Sequence, residues 1–288
     1  MSLPAPDRRP RVLVTGASSG IGAELARELA AAGHGLRLVG RRVERLEALA
    51  DELRAAHDVE VAVRPCDLAD DAARAGLLAE IREGEPLAAL CSVAGAATLG
   101  RFADLDPERE AGLVRLNALA PHELIGAALP GMLAAEEGAI LVVASSAALG
   151  PWPRLATYAA TKAFLASFAE SLHAELRGTG VSVTTLNPGP VVTEIWERAG
   201  APADFPGSGP GLIWEDPRTV ARAGLEALQA SDRVATPGAG GHLISLAGRW
   251  LPRALTLPVV ALAGGDRGAR WLAGRRGWTL RRDGRSPD

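Results

Sequence analysis

Short apolar runs rich in β-branched residues alternate along the chain with segments in which apolar side chains recur at helical spacing. The first such pair is a predicted strand at 11–15 and a predicted helix at 22–33, where leucines and alanines return every three or four residues. This alternation continues to about residue 237. It is typical of α/β proteins in which helices cover both faces of a mainly parallel sheet.

The same reading predicts seven strands in all. The remaining strands are expected at 36–40, 59–64, 87–93, 139–145, 181–186 and 233–237, and the remaining helices at 43–56, 70–83, 107–135, 156–177 and 217–230. We therefore predict one doubly wound Rossmann domain over 11–237, preceded by a flexible tail at 1–10. Ligands of such sheets bind beyond the carboxyl ends of the strands, so the turns after the strands are the candidate site.

Composition narrows the class of function. The chain has 288 residues, 48% hydrophobic and 23% charged, with a formal net charge of -3. That balance is globular and lacks the basic footprint of a nucleic-acid binder, so a small-molecule partner is expected. The beginning of the chain has no apolar signal-peptide core, and we expect a cytoplasmic protein. The two cysteines and five histidines lack metal-ligand spacing, so no metal site is predicted.

A glycine-rich turn, "TGASSGIG" at 15–22, joins the first strand to the first helix. Glycines 16, 20 and 22 would permit a tight turn and let backbone N–H groups at the helix start approach a pyrophosphate. A plain strand-to-helix turn is the alternative. Because the strand, turn and helix occur in the order that dinucleotide binding requires, we predict a dinucleotide site here.

The end of the second strand indicates which dinucleotide fits. An NAD site usually offers a carboxylate there, whereas this chain has Gly40 followed by Arg41 and Arg42. Guanidinium groups suit a 2′-phosphate, and the Ser18 hydroxyl could assist, so NADP(H) is favoured over NAD(H). The arginines could instead begin a solvated helix. Asp67, after the third strand, is positioned either to accept from the adenine amino group or to cap a helix.

The segment "TYAATKAF" at 157–164 contains the only tyrosine and the only lysine of the chain, Tyr158 and Lys162. Four residues apart on a helix, they share one face. A nearby ammonium favours the phenolate and lowers the phenol pKa from its usual value near 10, which suits a general acid/base. An incidental helix face is the alternative. We favour a Tyr158 that exchanges a proton with a carbonyl or alcohol oxygen.

With these motifs, residues 11 to about 237 resemble the short-chain dehydrogenase/reductase family in its single-domain branch, whose patterns are TGxxxGxG and YxxxK. The resemblance implies that Ser145 donates to the substrate oxygen, with Ser146 as the alternative. It also implies that Asn117 holds a water in a proton relay to Lys162. The catalytic set is then Asn117, Ser145, Tyr158 and Lys162.

The family likeness extends to "NPGPVVT" at 187–193, which implies that this turn holds the nicotinamide. After the fourth strand the chain departs from the family's NNAG and has "SVAG" at 92–95, which puts the side-chain bracing of this strand end in doubt. Together, turn chemistry and resemblance predict these cofactor-binding residues: Gly16, Ser18, Ser19, Gly20, Ile21, Gly22, Arg41, Arg42, Asp67, Leu68, Ala94, Gly95, Tyr158, Lys162, Pro188, Gly189, Val191 and Thr193.

All six tryptophans lie after residue 150, and two of them, Trp196 and Trp214, fall in the segment that the resemblance makes a substrate lid, about 194–215. The same segment contains Phe205, Leu212 and Ile213. Its aromatic and apolar side chains favour a bulky apolar substrate, with ordinary packing as the alternative. The extension at 238–288 is expected to cover a partner subunit or the pocket. Membrane contact and a frayed tail are the less favoured alternatives.

The sequence thus predicts an NADP(H)-dependent oxidoreductase that interconverts a carbonyl and an alcohol, acting on a ketone or 3-oxoacyl type of substrate. A homodimer or homotetramer is expected. The rival hypothesis is a protein that binds NADP(H) as a sensor without turnover.

Overall fold

The computed structural model describes residues 3–9, 11–201, 214–250, 252–254 and 257. In this part of the chain, seven parallel strands form a single sheet. They are β1 (Val12–Thr15), β2 (Leu36–Gly40), β3 (Val61–Pro65), β4 (Ala89–Ser92), β5 (Gly138–Val143), β6 (Val181–Leu186) and β7 (Val234–Ala235).

Nine α-helices of the described chain accompany the sheet. They are α1 (Gly20–Ala31), α2 (Val43–Ala56), α3 (Asp71–Glu83), α4 (Pro107–Val114), α5 (Ala120–Ala134), α6 (Ala156–Glu175), α7 (Ile195–Arg198), α8 (Pro217–Ala230) and α9 (Ala239–Trp250). A π-helical segment, Arg115–Leu119, joins α4 to α5, and two 3₁₀ helices lie at Phe102–Asp104 and Ser146–Leu149.

The strand order β3-β2-β1-β4-β5-β6-β7 confirms the predicted doubly wound Rossmann fold. The chain runs outward from β1 in one direction and resumes at β4 in the other, so the order reverses between these two strands. Side chains alternate across the sheet, and β1 shows this clearly, because Val12 and Val14 enter one apolar core and Leu13 enters the other. Burial on both faces explains why the strands are nearly continuous apolar runs.

Several boundaries differ from the prediction. β5 ends at Val143, so Ser145 lies beyond the strand and caps the 3₁₀ helix with its side chain, accepting from the Ala147 N–H at 3.1 Å. The helical stretch at 107–135 is three consecutive segments, as the π-helical turn interrupts it at 115–119. α9 was not predicted, because glycines at its start obscure the helical pattern that follows.

Residues 7–9, which fall within the flexible tail predicted at 1–10, are hydrogen-bonded to the chain beside the sheet. The Gly35 N–H donates to the Asp7 carbonyl at 2.6 Å, and the Glu60 N–H donates to the Arg8 carbonyl at 2.9 Å. These bonds tie the segment to the starts of β2 and β3, whose first N–H groups would otherwise lack a partner from the ladder. The Asp7 carboxylate also contacts the Arg9 guanidinium at 2.7 Å.

Parts of the expected lid and extension lie outside the described residues, namely 202–213, with Phe205, Leu212 and Ile213, and 258–288, with Trp271 and Trp278. None of the helices in the described part of the chain is long and apolar enough to cross a bilayer.

Candidate active site

A cleft of about 280 Å³ opens at the carboxyl ends of β1 and β4, where the strand order reverses. Every residue predicted to bind the cofactor lines this cleft, and so do the predicted catalytic residues Ser145, Tyr158 and Lys162. Asn117 is fully buried and lies behind the cleft wall. The structure therefore brings together residues that are spread over almost 180 positions of the sequence.

The glycine turn has the conformation that a phosphate cradle requires. Gly16 and Gly20 have φ values of 68° and 56°, in the left-handed region that favours glycine. A Cβ on Gly16 would lie 2.9 Å from the Ala94 Cα, and a Cβ on Gly22 would lie 2.4 Å from the Gly16 carbonyl oxygen. The open N-terminus of α1 follows directly, so backbone N–H groups and the helix dipole can face a pyrophosphate. These residues fit a dinucleotide.

Thr15 resolves the doubt about the strand end at 92–95. Its hydroxyl accepts from the Val93 N–H at 2.9 Å and from the Ala94 N–H at 3.1 Å. The last side chain of β1 thus braces the end of β4 without the asparagines of the family pattern. Sequence reasoning missed this residue, although its place at the end of the first strand was a usable signal.

The π-helical segment at 115–119 presents the Asn117 side chain to the end of β4. Its Oδ1 accepts from the Ala96 N–H at 3.0 Å, and its Nδ2 donates to the Ala96 carbonyl at 2.9 Å and to the Thr161 Oγ1 at 3.2 Å. The amide is therefore well satisfied in a fully buried position. Asparagine has a low helix propensity, and here it lies in a π-helical turn, a feature that often marks functional positions.

Gly95 permits the close approach of two predicted catalytic groups. A Cβ at Gly95 would lie 3.3 Å from the Asn117 Oδ1 and 3.4 Å from the Lys162 Nζ. The amide oxygen and the ammonium therefore flank the same point of the backbone. Any larger side chain at 95 would push into both groups.

Tyr158 and Lys162 occupy one buried face of α6, as their spacing predicts. The Lys162 Nζ donates to the Val143 carbonyl at 2.8 Å and lies 5.9 Å from the centroid of the Tyr158 ring. The Ser145 side chain lines the cleft together with Tyr158 and, as a hydrogen-bonding group, acts to lower the pKa of its hydroxyl. Ser146, the alternative to Ser145, donates its backbone N–H to the Pro188 carbonyl at 2.8 Å.

The pKa values of this pair are governed by burial. Burial raises the pKa of Tyr158, while the hydrogen bond to Ser145 opposes the rise. Burial also lowers the pKa of Lys162 from 10.5 to about 8. In the protein alone, the expected lowering of the phenol pKa by the ammonium is therefore absent. Burial of the phenol is the largest influence on its pKa, and Nζ donates instead to the carbonyl of Val143 at the end of β5.

Arg42 lies between the glycine turn and the segment before α7. Its guanidinium donates to the Ser18 hydroxyl at 2.8 Å, to the Ser19 hydroxyl at 2.6 Å and to the Glu194 carboxylate at 2.8 Å. Arg42 is also the residue before α2, so it begins that helix and contacts the glycine turn at the same time. Arg41 is 62% exposed and pairs with Asp67 at 3.7 Å.

Asp67 is not the cap of α3. Its Oδ1 accepts from the Ala69 N–H at 3.0 Å, two residues on, whereas Asp70 caps the helix by accepting from the Ala73 N–H at 2.7 Å. Asp67 remains on the cleft wall beside Leu68, where the adenine end of a dinucleotide is expected.

The turn after β6 is held on both sides. Val191 pairs with Glu215 through an isolated parallel bridge, and burial raises the pKa of the Glu215 carboxyl to about 7. Thr193 covers the glycine turn, because a Cβ at Gly20 would lie 3.0 Å from its Cγ2. On the other side, a Cβ at Gly189 would lie 3.0 Å from the Gly241 N, so α9 packs against this turn.

Aromatic side chains form one wall of the cleft next to Tyr158. The ring of Trp196 meets that of Tyr158 edge-on, with centroids 6.4 Å apart, and meets that of Trp214 in the same manner at 6.4 Å. Trp152 and Leu155 belong to the same apolar cluster. Trp152 and Trp196 line the cleft on this side with the candidate acid, whereas Trp214 contacts Trp196 and is not among the lining residues.

Fold and site together define a dinucleotide-binding enzyme of the oxidoreductase class, with a buried tyrosine at the substrate end of the cleft. Comparison with known proteins agrees. The family model for short chain dehydrogenases matches residues 10–203, and the chain belongs to this family. A sensor without turnover is thereby set aside in favour of an enzyme.

Three relatives illustrate the similarity. A short chain dehydrogenase of Pseudocercospora fijiensis is 36% identical over 195 residues, which cover 67% of this chain and 62% of that protein. A very-long-chain 3-oxoacyl-CoA reductase of Anas platyrhynchos is 33% identical over 193 residues, covering 64% of this chain and 60% of that protein. The solved short-chain dehydrogenase of Sphingobium yanoikuyae in complex with NADPH is 31% identical with a TM-score of 0.75, covering 95% of this chain and 100% of that one.

Proposed function

We propose that the protein interconverts a carbonyl and an alcohol with NADP(H), with Tyr158 as the general acid/base and a bulky apolar substrate. The observation that carries the proposal is the buried Tyr158, which lines the cleft with Ser145 between the candidate dinucleotide cradle and an aromatic wall. NADPH, when bound, would supply the hydride.

The reduction would proceed with Tyr158 and Ser145 both directed to the substrate oxygen. Ser145 would donate a hydrogen bond to the oxygen as negative charge develops on it, and the Tyr158 hydroxyl would transfer its proton there. The raised pKa of Tyr158 keeps the phenol protonated at neutral pH, as an acid requires. In this proposal Lys162 and Asn117 act behind the tyrosine, as a buried charge and as the holder of a relay water.

The test of this role is a comparison of Tyr158→Phe with the parent enzyme across a panel of ketones and 3-oxoacyl compounds. The change removes one oxygen from a buried ring, so the fold and nucleotide binding should persist while turnover falls by about a hundredfold or more. A variant that turned over every active substrate as fast as the parent would refute the mechanism.

A preference for NADP(H) is the second part of the proposal, and Arg41 and Arg42 support it at the end of β2. Arg41→Ala and Arg42→Ala should each weaken NADPH binding much more than NADH binding, because only NADPH carries the 2′-phosphate. Fluorescence titration measures both affinities. Equal losses for the two nucleotides would contradict the preference.

The proposed substrate size is supported by Trp196, which lines the cleft and is contacted by Trp214. Aromatic faces favour apolar groups, so Trp196→Ala should raise KM for bulky aryl ketones more than for small aldehydes. A small anionic aldehyde is a useful contrast in the panel. Faster turnover of that compound than of any apolar ketone would contradict the proposed substrate class.

A cytoplasmic homodimer or homotetramer completes the proposal. Phe164 is 44% exposed on α6 and stacks on Phe168 at 5.9 Å, while His122 of α5 contacts both rings. Such an exposed aromatic surface supports a subunit contact. Light scattering after size exclusion should give a multiple of 29.8 kDa, and a monomer at micromolar concentration would contradict it.

A further inference from the structure

Glu194 joins the nucleotide end of the cleft to α7. It is the residue immediately before that helix, and its carboxylate accepts from the Arg42 Nη1 at 2.8 Å and from the Arg45 Nη1 at 2.7 Å. It also pairs with Arg198, within α7. These three guanidinium groups hold the pKa of Glu194 at about 2, so the side chain is an anion at any physiological pH. Glu194 lines the same cleft as the glycine turn.

The hydrogen-bonding capacity of Arg42 is nearly used up by these contacts. A guanidinium has five N–H donors arranged in a planar fork, and phosphate is bound best by two parallel donors from one edge. Here Nε and Nη2 donate to the Ser18 hydroxyl, Nη2 also donates to Ser19, and Nη1 donates to Glu194. A phosphate that binds Arg42 through two donors must therefore displace at least one of these partners.

Among the partners that the described residues give Arg42, Glu194 alone is an anion. Serine hydroxyls can turn to donate to a phosphate and remain in place, as both serines line the cleft. A carboxylate has no proton to donate at neutral pH and repels the incoming anion. Glu194 thus takes a hydrogen-bonding position on Arg42 that a phosphate group would otherwise take.

We propose that Glu194 is a specificity-determining residue that competes with the 2′-phosphate of the cofactor for Arg42. The inference rests on the proposed preference for NADP(H). It adds that the Glu194 carboxylate weakens binding of the 2′-phosphate, so the preference is smaller than it would be without this carboxylate. On phosphate binding, Arg42 exchanges Glu194 for the ligand, while Arg45 and Arg198 keep the carboxylate on the cleft rim. Removal of the charge should therefore strengthen binding only of ligands that carry a 2′-phosphate.

The experiment measures calorimetric dissociation constants for adenosine 2′,5′-bisphosphate and for adenosine 5′-monophosphate, which differ in the 2′-phosphate. Glu194→Gln removes the charge and preserves the shape of the side chain. Glu197→Gln is the matched control, since it removes a charge from α7 at an exposed position for which the described part of the chain shows no ion pair. Arg42→Ala and the double variant complete the set, and thermal melting checks that each variant is folded.

Glu194→Gln is expected to tighten binding of the bisphosphate by roughly two- to fivefold, the upper part of the range for an exchanged, partly exposed ion pair, and to leave that of the monophosphate nearly unchanged. Glu197→Gln should change neither, and the gain should vanish in the Arg42→Ala background. If Arg42→Ala selectively weakens the bisphosphate but Glu194→Gln leaves it unchanged or weaker, the inference is overturned and the cofactor preference stands. If Arg42→Ala affects both ligands equally, the preference and the inference fall together.

Discussion

Lys162 carries a charge in a place that disfavours it, and replacing it by methionine tests this directly. The side chain is 3% exposed, and the structure gives its ammonium a single hydrogen bond, to the Val143 carbonyl. Burial lowers its pKa from 10.5 to about 8. Methionine has a similar length and no charge, so Lys162→Met keeps most of the packing and removes the titration.

The expected magnitude follows from the two pKa values. Between pH 8 and 10.5 the unfolded chain retains a proton on Lys162 that the folded chain has lost, so the free energy of unfolding rises with pH across this window. Each pKa unit corresponds to about 1.4 kcal/mol, which gives a rise of roughly 3 kcal/mol. Burial raises the pKa of Tyr158, Cys66 and Cys91, and these groups change stability in the opposite direction at high pH.

The opposing groups are common to both proteins, so the difference between parent and Lys162→Met isolates the lysine. Urea unfolding without added nucleotide, at a series of pH values from 8 to 10.5, should show the parent gaining stability relative to the variant by roughly 3 kcal/mol. The lost bond to Val143 adds an offset that does not depend on pH. Two stability curves that run parallel across the window would refute a depressed pKa for Lys162.

Three further predictions concern the groups around this lysine. Asn117→Ala removes three buried hydrogen bonds and should lower the free energy of unfolding by about 3 kcal/mol in urea, whereas a loss below about 1 kcal/mol would contradict a structural role. Gly16→Ala places a Cβ 2.9 Å from the Ala94 Cα at a φ of 68°. The change should lower the free energy of unfolding by about 1–3 kcal/mol and weaken dinucleotide binding in titration. An unchanged affinity would contradict the role of the glycine turn as a phosphate cradle. Cys91 is fully buried with its pKa raised to about 12, so iodoacetamide should label it only after unfolding, and labelling of the folded protein would contradict this.

The order of strands and helices was predictable because the spacing of apolar residues within each segment indicates whether it is a strand or a helix. Each strand of the buried sheet is an apolar run, and each covering helix carries a stripe at helical spacing, so both are readable without tertiary information. The residues at which the strands and helices end were less predictable. β5 stops at Val143 because the chain turns there to place Ser145 as a cap, and that turn depends on a contact between Ser146 and Pro188, more than 40 residues away.

The convergence of these residues was also predictable, since every residue predicted to bind the cofactor lines the cleft, and their binding of the cofactor stays a prediction. The partners of those residues were not. Thr15, Thr161 and Glu194 are ordinary polar residues whose roles arise only when the fold brings them to Ala94, Asn117 and Arg42. A motif fixes the position of a residue along the chain, whereas its hydrogen bonds depend on neighbours distant in sequence.

The pairing of Tyr158 with Lys162 shows what geometry adds to a motif. Helical spacing puts both side chains on one face, and from that alone an ammonium is expected to favour the phenolate. The structure instead directs the ammonium to the Val143 carbonyl and leaves Ser145 as the hydrogen-bonding partner of the phenol. Burial disfavours the charged form of both groups. It therefore raises the pKa of the phenol and lowers the pKa of the lysine. If Tyr158 is the acid that reduces a carbonyl, as proposed, such a site favours the protonated form that this role requires, and the charge of Lys162 would have to be stabilised before the reverse reaction could begin.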